Sequence, residues 1–292
     1  MRKIVHTRAL QPAINCKAAM WRLLCSPNLQ RVYARVRRIP VVGELCHQLV
    51  RRILPSHTRV TVGVRSGSGA GLRLIIDPRF EVQYVAGLHE PAVLEWLSAH
   101  LRTGGVFYDV GAHIGFTSLV AATLVGNDGQ VYAFEADPGN CSRIADHIRI
   151  NNLPRIELVP MAAWSECKSV HFHRAAEQSS RNMGSVIEEP NCIPDELVRV
   201  EAITLDSFAE AHRRPAIVKI DVEGGEEDVL KGADRTFCSA KPLLICEIHH
   251  SQAAAAVPEW LASRGYSCRW LGAERGYPRH LVARCDLKGI NW

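Results

Sequence analysis

Eleven residues constrain this chain more than any other stretch: Val106-Phe-Tyr-Asp-Val-Gly-Ala-His-Ile-Gly-Phe116. Val106 to Val110 is a short apolar run, the pattern of a parallel strand buried on both faces. Gly111 and Gly115 follow, and Thr117 to Leu124 then carries apolar residues at helical spacing. Strand, glycine turn and helix in that order make the first half of a βαβ unit. Glycine at 111 lets the backbone turn tightly and leaves room for a ligand to approach. The helix directs its unpaired N-terminal N–H groups at whatever sits over that turn.

Glu135 closes a second strand, Gln130-Val-Tyr-Ala-Phe-Glu135, 26 residues beyond Asp109. An acid at that place accepts hydrogen bonds from the hydroxyls of a ribose, so the pattern predicts nucleoside binding. A dinucleotide turn reads GxGxxG, because a pyrophosphate must lie on bare backbone. Here His113 stands where the middle glycine would be, which points away from a pyrophosphate and toward S-adenosylmethionine. Asp109 and Gly111 are then expected beside its methionine part. Ala112, His113 and Gly115 complete the turn, with His113 positioned over the ligand rather than acting as a base. Glu135 would hold the ribose and Asp137 the neighbouring edge, while Ala162 and Ala163, after the third strand, would sit by the adenine. A βαβ unit without a ligand is the alternative, and Glu135 weighs against it.

From Val106 onward strands and helices alternate. Strands are expected at 106–110, 130–135, 156–160, 168–173, 198–204, 216–221, 243–248, 266–271 and 280–285. Helices are expected at 90–101, 115–125, 138–151, 205–212, 225–232 and 253–264. Such alternation predicts an α/β fold with a doubly wound, mostly parallel sheet and ligands at the C-terminal strand ends. Residues 57–80 read as a β-hairpin preceding a core at 81–292. Its turn, Ser66-Gly-Ser-Gly-Ala-Gly71, lacks the Lys-Ser/Thr of a phosphate loop and opens no helix. Residues 174–197 are polar and irregular, and an insertion of that length near the strand ends suits a lid over the acceptor.

Charge divides the chain unevenly. Residues 1–60 hold twelve Lys or Arg and one acid, Glu44, so the net charge of +5 conceals a mildly acidic remainder. Residues 1–56 read as a basic, mainly helical leader broken at Pro27 and Pro40. It suits either a solvated extension or a docking surface for anionic lipid or an acidic partner. Charge alone would also fit nucleic acid, but no basic–aromatic interleaving is present, so no specific nucleic-acid partner is expected. No run of eighteen apolar residues and no secretory signal are read, which with ten scattered cysteines and no CxxC pair predicts reduced thiols in a cytoplasm. Peripheral association with the inner membrane surface through the leader is compatible with that location.

With these residues in hand, the chain resembles the FkbM family of S-adenosylmethionine-dependent methyltransferases over roughly residues 80–250. The marks are Glu90-Pro91 before a helix, Asp109-Val-Gly-Ala-His-Ile-Gly-Phe116, Tyr132-Ala-Phe-Glu135 with Asp137-Pro138 and Asn140, and Asn151. Further on come Gly184-Ser185, Thr204-Leu-Asp206, and Lys219-Ile-Asp-Val-Glu-Gly-Gly-Glu226 leading to Val229-Leu-Lys-Gly-Ala233. Ala136 departs from the family, which often has proline there. The resemblance implies a Rossmann-like methyltransferase fold of seven strands with an antiparallel seventh strand and helices on both faces. It also implies O-methylation of hydroxyls on sugars, polysaccharides or secondary metabolites. Glu90, Gly184 and Ser185 are expected on the acceptor side, with a small molecule or glycan as acceptor.

Methyl transfer to a hydroxyl requires an acceptor held in line and a base for its proton. Lys219, Asp221 and Glu223 alternate at the end of the fourth strand, and Glu247 and His249 end the fifth. Asp221 is expected as base or orienting group, with Glu223 and His249 next. A lysine beside two carboxylates keeps them ionised. Glu226 reads as first-turn helix support, and Glu223 could equally cap that helix. Asp221, Glu247 and His249 have donor types that bind metals, but the pattern requires none and no metal is expected. An N-methyltransferase acting on a protein or small amine would need no strong base. A non-catalytic nucleoside-binding scaffold with a working leader would have no use for the acids at 219–226.

Overall fold

The computed structural model describes residues 59–77, 80–174, 184–187, 197–272 and 276–285. The leader 1–56 and, within the middle insertion, residues 175–183 and 188–196 lie outside the described residues. By its contacts the chain divides into residues 1–89 and 90–292.

In the first unit β1 (Val60–Gly63) and β2 (Arg73–Ile76) pair as an antiparallel hairpin. Its turn is closed by Val64 N–H to the Leu72 carbonyl (2.8 Å) and Gly71 N–H to the Val64 carbonyl (3.0 Å). A one-turn helix, α1 (Val82–Val85), follows, and Leu74, Ile76, Tyr84 and Val85 are buried.

The second unit begins with α2 (Pro91–His100), β3 (Val106–Val110), α3 (Phe116–Val125), β4 (Gln130–Phe134), α4 (Pro138–Asn151) and β5 (Ile156–Val159). Next come β6 (Ala162–Ala163), β7 (Ser169–His173), β8 (Ser185–Ile187), β9 (Leu197–Ile203) and α5 (Leu205–Ala211). It ends with β10 (Ile217–Ile220), α6 (Glu226–Lys231), α7 (Asp234–Ser239), β11 (Leu243–Ile248), α8 (Ser251–Ala262), β12 (Tyr266–Leu271) and β13 (Arg279–Cys285).

Seven strands form the central sheet in the order β12-β13-β11-β10-β3-β4-β5. The pairs β3–β4, β4–β5, β3–β10 and β10–β11 are parallel, and β13 runs antiparallel to both β11 and β12. Every residue of β3 and β10 is buried, as a parallel sheet covered on both sides requires. The chain runs outward from β3 to β5 and then returns to β10 on the other side of β3. Right-handed crossovers in opposite directions place helices on opposite faces, which makes the sheet doubly wound. Below it, Phe208 of α5 packs edge-on against Tyr108, Tyr132 and Phe134, with ring centroids 5.6, 5.0 and 4.8 Å apart.

One expectation is corrected. The strands read at 168–173 and 198–204 do not join the central sheet. They are β7 and β9 of a separate four-stranded sheet, β6-β9-β7-β8, in which β7 pairs antiparallel with β8 and β9. Along β7, Val170 and Phe172 are buried while His171 between them is exposed. That alternation fits a sheet with one wet face, not a strand sealed between helices. The helix α7 was not anticipated. Its first-turn N–H groups are capped from a distance, Arg235 and Thr236 donating to Asp206 at 2.9 and 2.7 Å.

Candidate active site

The turns after β3, β4, β10 and β11 meet at the C-terminal edge of the sheet. Gly111 has φ +80°, and a Cβ built on it would lie 1.7 Å from the Asp221 carbonyl oxygen. No other residue type fits a left-handed turn pressed against backbone in this way. On the other side, Gly111 and Ala112 both donate their N–H to the Phe134 carbonyl, at 3.0 and 2.9 Å. The turn is thereby held between β4 and the chain leaving β10.

Glu135, one residue past β4, is buried and accepts two backbone hydrogen bonds. His113 N–H donates to its Oε2 at 2.7 Å and Asp137 N–H to its Oε1 at 2.8 Å. The Asn140 side chain adds a further hydrogen bond to the same carboxyl, and of its about four acceptor sites one is left for a ligand hydroxyl. Burial pushes the Glu135 carboxyl up to about 7, against the pull of those backbone bonds. Asp137 is the N-cap of α4, accepting from Asn140 N–H at 2.9 Å, and it also receives Arg174 at 2.6 Å. Asp109 is fully buried; Ser118 donates to its Oδ2 at 2.5 Å, and its Oδ1 has no hydrogen-bond partner. Ala162 and Ala163 form β6 and are buried.

A nucleoside with a cationic amino acid attached fits these groups. An ammonium would satisfy the orphaned Asp109 oxygen, and a ribose hydroxyl would match the remaining acceptor site of Glu135.

A denser cluster lies beside this turn. Lys219 Nζ donates to Asp221 Oδ2 at 2.8 Å, and Lys219 is almost wholly buried. Burial alone would strip the Lys219 proton, but Asp221, Glu90 and Asp109 around it hold the ammonium firmly charged. Burial also opposes ionisation of Asp221, yet Lys219 and a hydrogen bond from Glu247 keep its carboxyl well below the usual range. Glu247 is displaced the other way, to about 10, by burial and by the negative charges of Asp221 and Glu90. The two acids are joined by a hydrogen bond, with the carboxyl of Asp221 held low and that of Glu247 pushed up.

His249, just past β11, sits among carboxylates. Its Nδ1 is 2.6 Å from Glu226 Oε1. Its Nε2 is 3.1 Å from Glu223, 3.7 Å from Asp221 and 3.9 Å from Glu247. Burial lowers the affinity of this imidazole for a proton, but Glu226, Glu223 and Asp221 outweigh it and the net shift is upward. Glu223 takes φ 54°, and burial raises its carboxyl. It does not cap α6, whose N-cap is Gly225 without a side-chain cap bond.

Glu226 is not simple helix support. It is fully buried and joins α6 to the end of β11 through His249. No local pattern marks this, since the two residues are 23 apart in the chain. Lys219, Asp221, Glu223 and His249 are therefore brought together as expected. Glu90, at φ 41° before α2, joins them through its charge on Lys219 and Glu247. Ser185 begins β8 in the second sheet, opposite His173, and Gly184 precedes it. Two overlapping groups have donor atoms within 4.8 Å of one another, Asp221-Glu247-His249 and Glu90-Glu247-His280, so the cluster has the dimensions to enclose a cation.

A sequence profile described as the methyltransferase FkbM domain matches residues 109–268. Among curated proteins, the hexuronic acid methyltransferase AglP of Haloferax volcanii is 24% identical over 185 residues, covering 62% of this chain and 72% of that protein. Among solved structures, the methyltransferase FkbM from Methylobacillus flagellatus KT is 16% identical with a TM-score of 0.47, covering 72% of this chain and 56% of that one. Precorrin-6y C5,15-methyltransferase from Geobacter metallireducens GS-15 is 14% identical with a TM-score of 0.44, covering 67% of this chain and 90% of that one.

Proposed function

The chain belongs to the FkbM family of S-adenosylmethionine-dependent methyltransferases, and from that premise we propose that its acceptor is a hydroxyl group on a sugar or glycan. The observation that carries the reading is the imidazole of His249, which presents Nε2 among carboxylates at the strand ends. A hydroxyl loses a proton when it is methylated, and a positioned base assists that loss. An amine acceptor has no comparable need. The relative named for methylating a hexuronic acid supports a sugar as acceptor.

The cofactor supplies an electrophilic methyl group carried on a sulfonium. Asp109, Gly111, Ala112, His113 and Gly115 would hold its amino-acid end and Glu135 its ribose. Asp137 braces the neighbouring edge, and Ala162 and Ala163 adjoin the adenine. When bound, the cofactor would supply its methyl carbon to the acceptor oxygen, its sulfur keeping the electron pair of the broken carbon–sulfur bond. The acceptor proton passes to His249 Nε2. Asp221, held by Lys219 and by its hydrogen bond with Glu247, orients the acceptor rather than receiving its proton, because a carboxyl held so low is a weak base. Glu223 and Glu90 border the acceptor.

The test is transfer of a labelled methyl group to a panel of free hexuronic acids, neutral hexoses and nucleotide sugars, beside a panel of amines. Label on a sugar oxygen supports the proposal, and label on amines alone overturns it. Asp221→Asn should abolish transfer while S-adenosylhomocysteine still binds. Normal turnover in that variant would remove Asp221 from the mechanism.

Among the described residues no helix is long and apolar enough to cross a membrane. The leader, with its excess of Lys and Arg, suits docking of a cytoplasmic enzyme on anionic lipid at the inner membrane surface. Sedimentation with anionic liposomes, with and without residues 1–56, tests this, and equal sedimentation removes it.

A further inference from the structure

His147, in α4, is fully buried although its ring is polar. Its Nδ1 is 2.8 Å from the carbonyl oxygen of Ile114, 33 residues earlier, in the glycine turn. A carbonyl oxygen only accepts, so Nδ1 carries a hydrogen and donates it, whatever the charge on the ring. One turn earlier in α4, Ile144 touches the same segment: a Cβ built on Gly115 would lie 3.1 Å from Ile144 Cγ1. A leucine at 147 would fill the space at less cost, because an imidazole sealed from water must be hydrogen-bonded. The ring therefore does something for the turn that bulk alone would not.

We propose that His147 is a positioning residue, which fixes the Ile114–Gly115 peptide and so holds the glycine turn in the shape that receives the amino-acid end of S-adenosylmethionine. The turn needs holding. His113 has φ 53°, a left-handed conformation that is costly for a residue with a Cβ and persists only where its surroundings over-determine it. Its own N–H is tied to Glu135 Oε2 at 2.7 Å. The peptide after Ile114 is tied at both ends, the carbonyl to His147 and the Gly115 N–H to the Ala112 carbonyl at 2.7 Å. Gly115 is the N-cap of α3, and no side chain caps that helix, so this peptide sets where its first N–H groups point. Asp109, whose buried Oδ1 has no hydrogen-bond partner, stands at the end of β3 that enters the same turn. A carboxylate suits the first of these features and an ammonium the second, and the amino-acid end of the cofactor carries both. Without the His147 donor a buried carbonyl loses its bond, and the peptide is free to rotate in search of another.

The inference rests on the reading of the glycine turn as the cofactor site, and the two can fail separately. Calorimetry of the full chain compares S-adenosylhomocysteine with methylthioadenosine, which has the same nucleoside and no amino-acid end. His147→Leu keeps the bulk without a donor, and His147→Asn keeps a donor nitrogen close to the position of Nδ1. In His147→Leu the affinity for S-adenosylhomocysteine should fall roughly tenfold, the scale of one buried hydrogen bond, while that for methylthioadenosine stays as in the wild type. His147→Asn should restore most of the loss. A purely structural role would weaken both ligands alike in His147→Leu, and that result overturns the proposal. Unchanged affinity for S-adenosylhomocysteine in a folded His147→Leu protein overturns it as well, as does an equal loss in the two variants. Should His147→Leu not fold, nitrogen-15 NMR of the histidine-labelled wild type decides, with His147→Asn identifying the resonance by removing it. A protonated Nδ1 is expected there, and a bare one overturns the proposal. A folded wild-type chain that binds neither ligand would instead sink the placement of the cofactor at this turn, and the proposal with it.

Discussion

Gly111 and Asp221, on different strands' exits, are in backbone contact so close that a methyl group on the glycine would lie 1.7 Å from the Asp221 carbonyl oxygen. The contact ties the glycine turn of the nucleoside-binding half to the loop that carries the acids. Gly111→Ala must both hold a left-handed φ and push the two loops apart. The expected cost is about 3 kcal/mol or more, since steric conflict with backbone adds to a strain of 1–2 kcal/mol. Urea unfolding would report it, and affinity for S-adenosylhomocysteine should fall with it.

Glu135 yields two linked outcomes. Glu135→Ala should weaken S-adenosylhomocysteine binding roughly 10- to 100-fold, the range for losing hydrogen bonds to a charged group, as read by calorimetry. Its folded value of about 7 lies above the ordinary 4.5. Below the lower value both folded and unfolded chains hold the proton, and this stabilising contribution is fully present. As pH rises toward the upper value the unfolded chain releases its proton first, so stability falls, by about 3 kcal/mol for a shift of this size. Glu135→Gln should remove that share of the slope when unfolding is compared at about pH 5 and about pH 8.

Lys219 is the buried cation around which Asp221, Glu90 and Asp109 are arranged. Lys219→Met keeps the volume and removes the charge, leaving acids without their counterion. A loss of about 3–5 kcal/mol is expected by denaturant titration. The carboxyl of Asp221 should rise from its low position in the same variant, a change visible in carbon-13 NMR of the side chain.

His249→Gln should lower kcat by about 10²–10⁴, the contribution of a general base, with affinity for S-adenosylhomocysteine retained. Stopped assays on whichever sugar accepts the methyl group would separate the two quantities. A matching loss of cofactor affinity would instead mark His249 as part of the cofactor site.

The central sheet was legible because its strands and helices obey separate periods. Val106–Val110 is apolar except for Asp109, and the apolar Phe116–Val125 follows it at helical length. The second sheet was legible only in principle. Ser169-Val-His-Phe-His173 alternates as a half-wet strand does, and reading that alternation against the continuous run at 106–110 would have separated the two sheets. Two-residue β6 and three-residue β8 carry too little pattern to read. In the site, Lys219, Asp221 and Glu223 were legible from spacing, because alternation along one strand is a local property. The pairing of Glu226 with His249 was not, since it depends on α6 lying against the end of β11. The capping of α7 by Asp206 escaped for the same reason.

β13 follows β12 in the chain yet lies between β11 and β12 in the sheet. During synthesis, then, β11 waits with one edge open while β12 is made, and neither can settle until residues 279–285 have left the ribosome. Leu244 to Ile248, mostly apolar, spends that interval as an unpaired template for other chains. Interrupted translation products ending before β13 should therefore aggregate or be held by chaperones, while a chain that includes β13 closes the gap itself. The step that completes the sheet also fixes the strand that leads into His249.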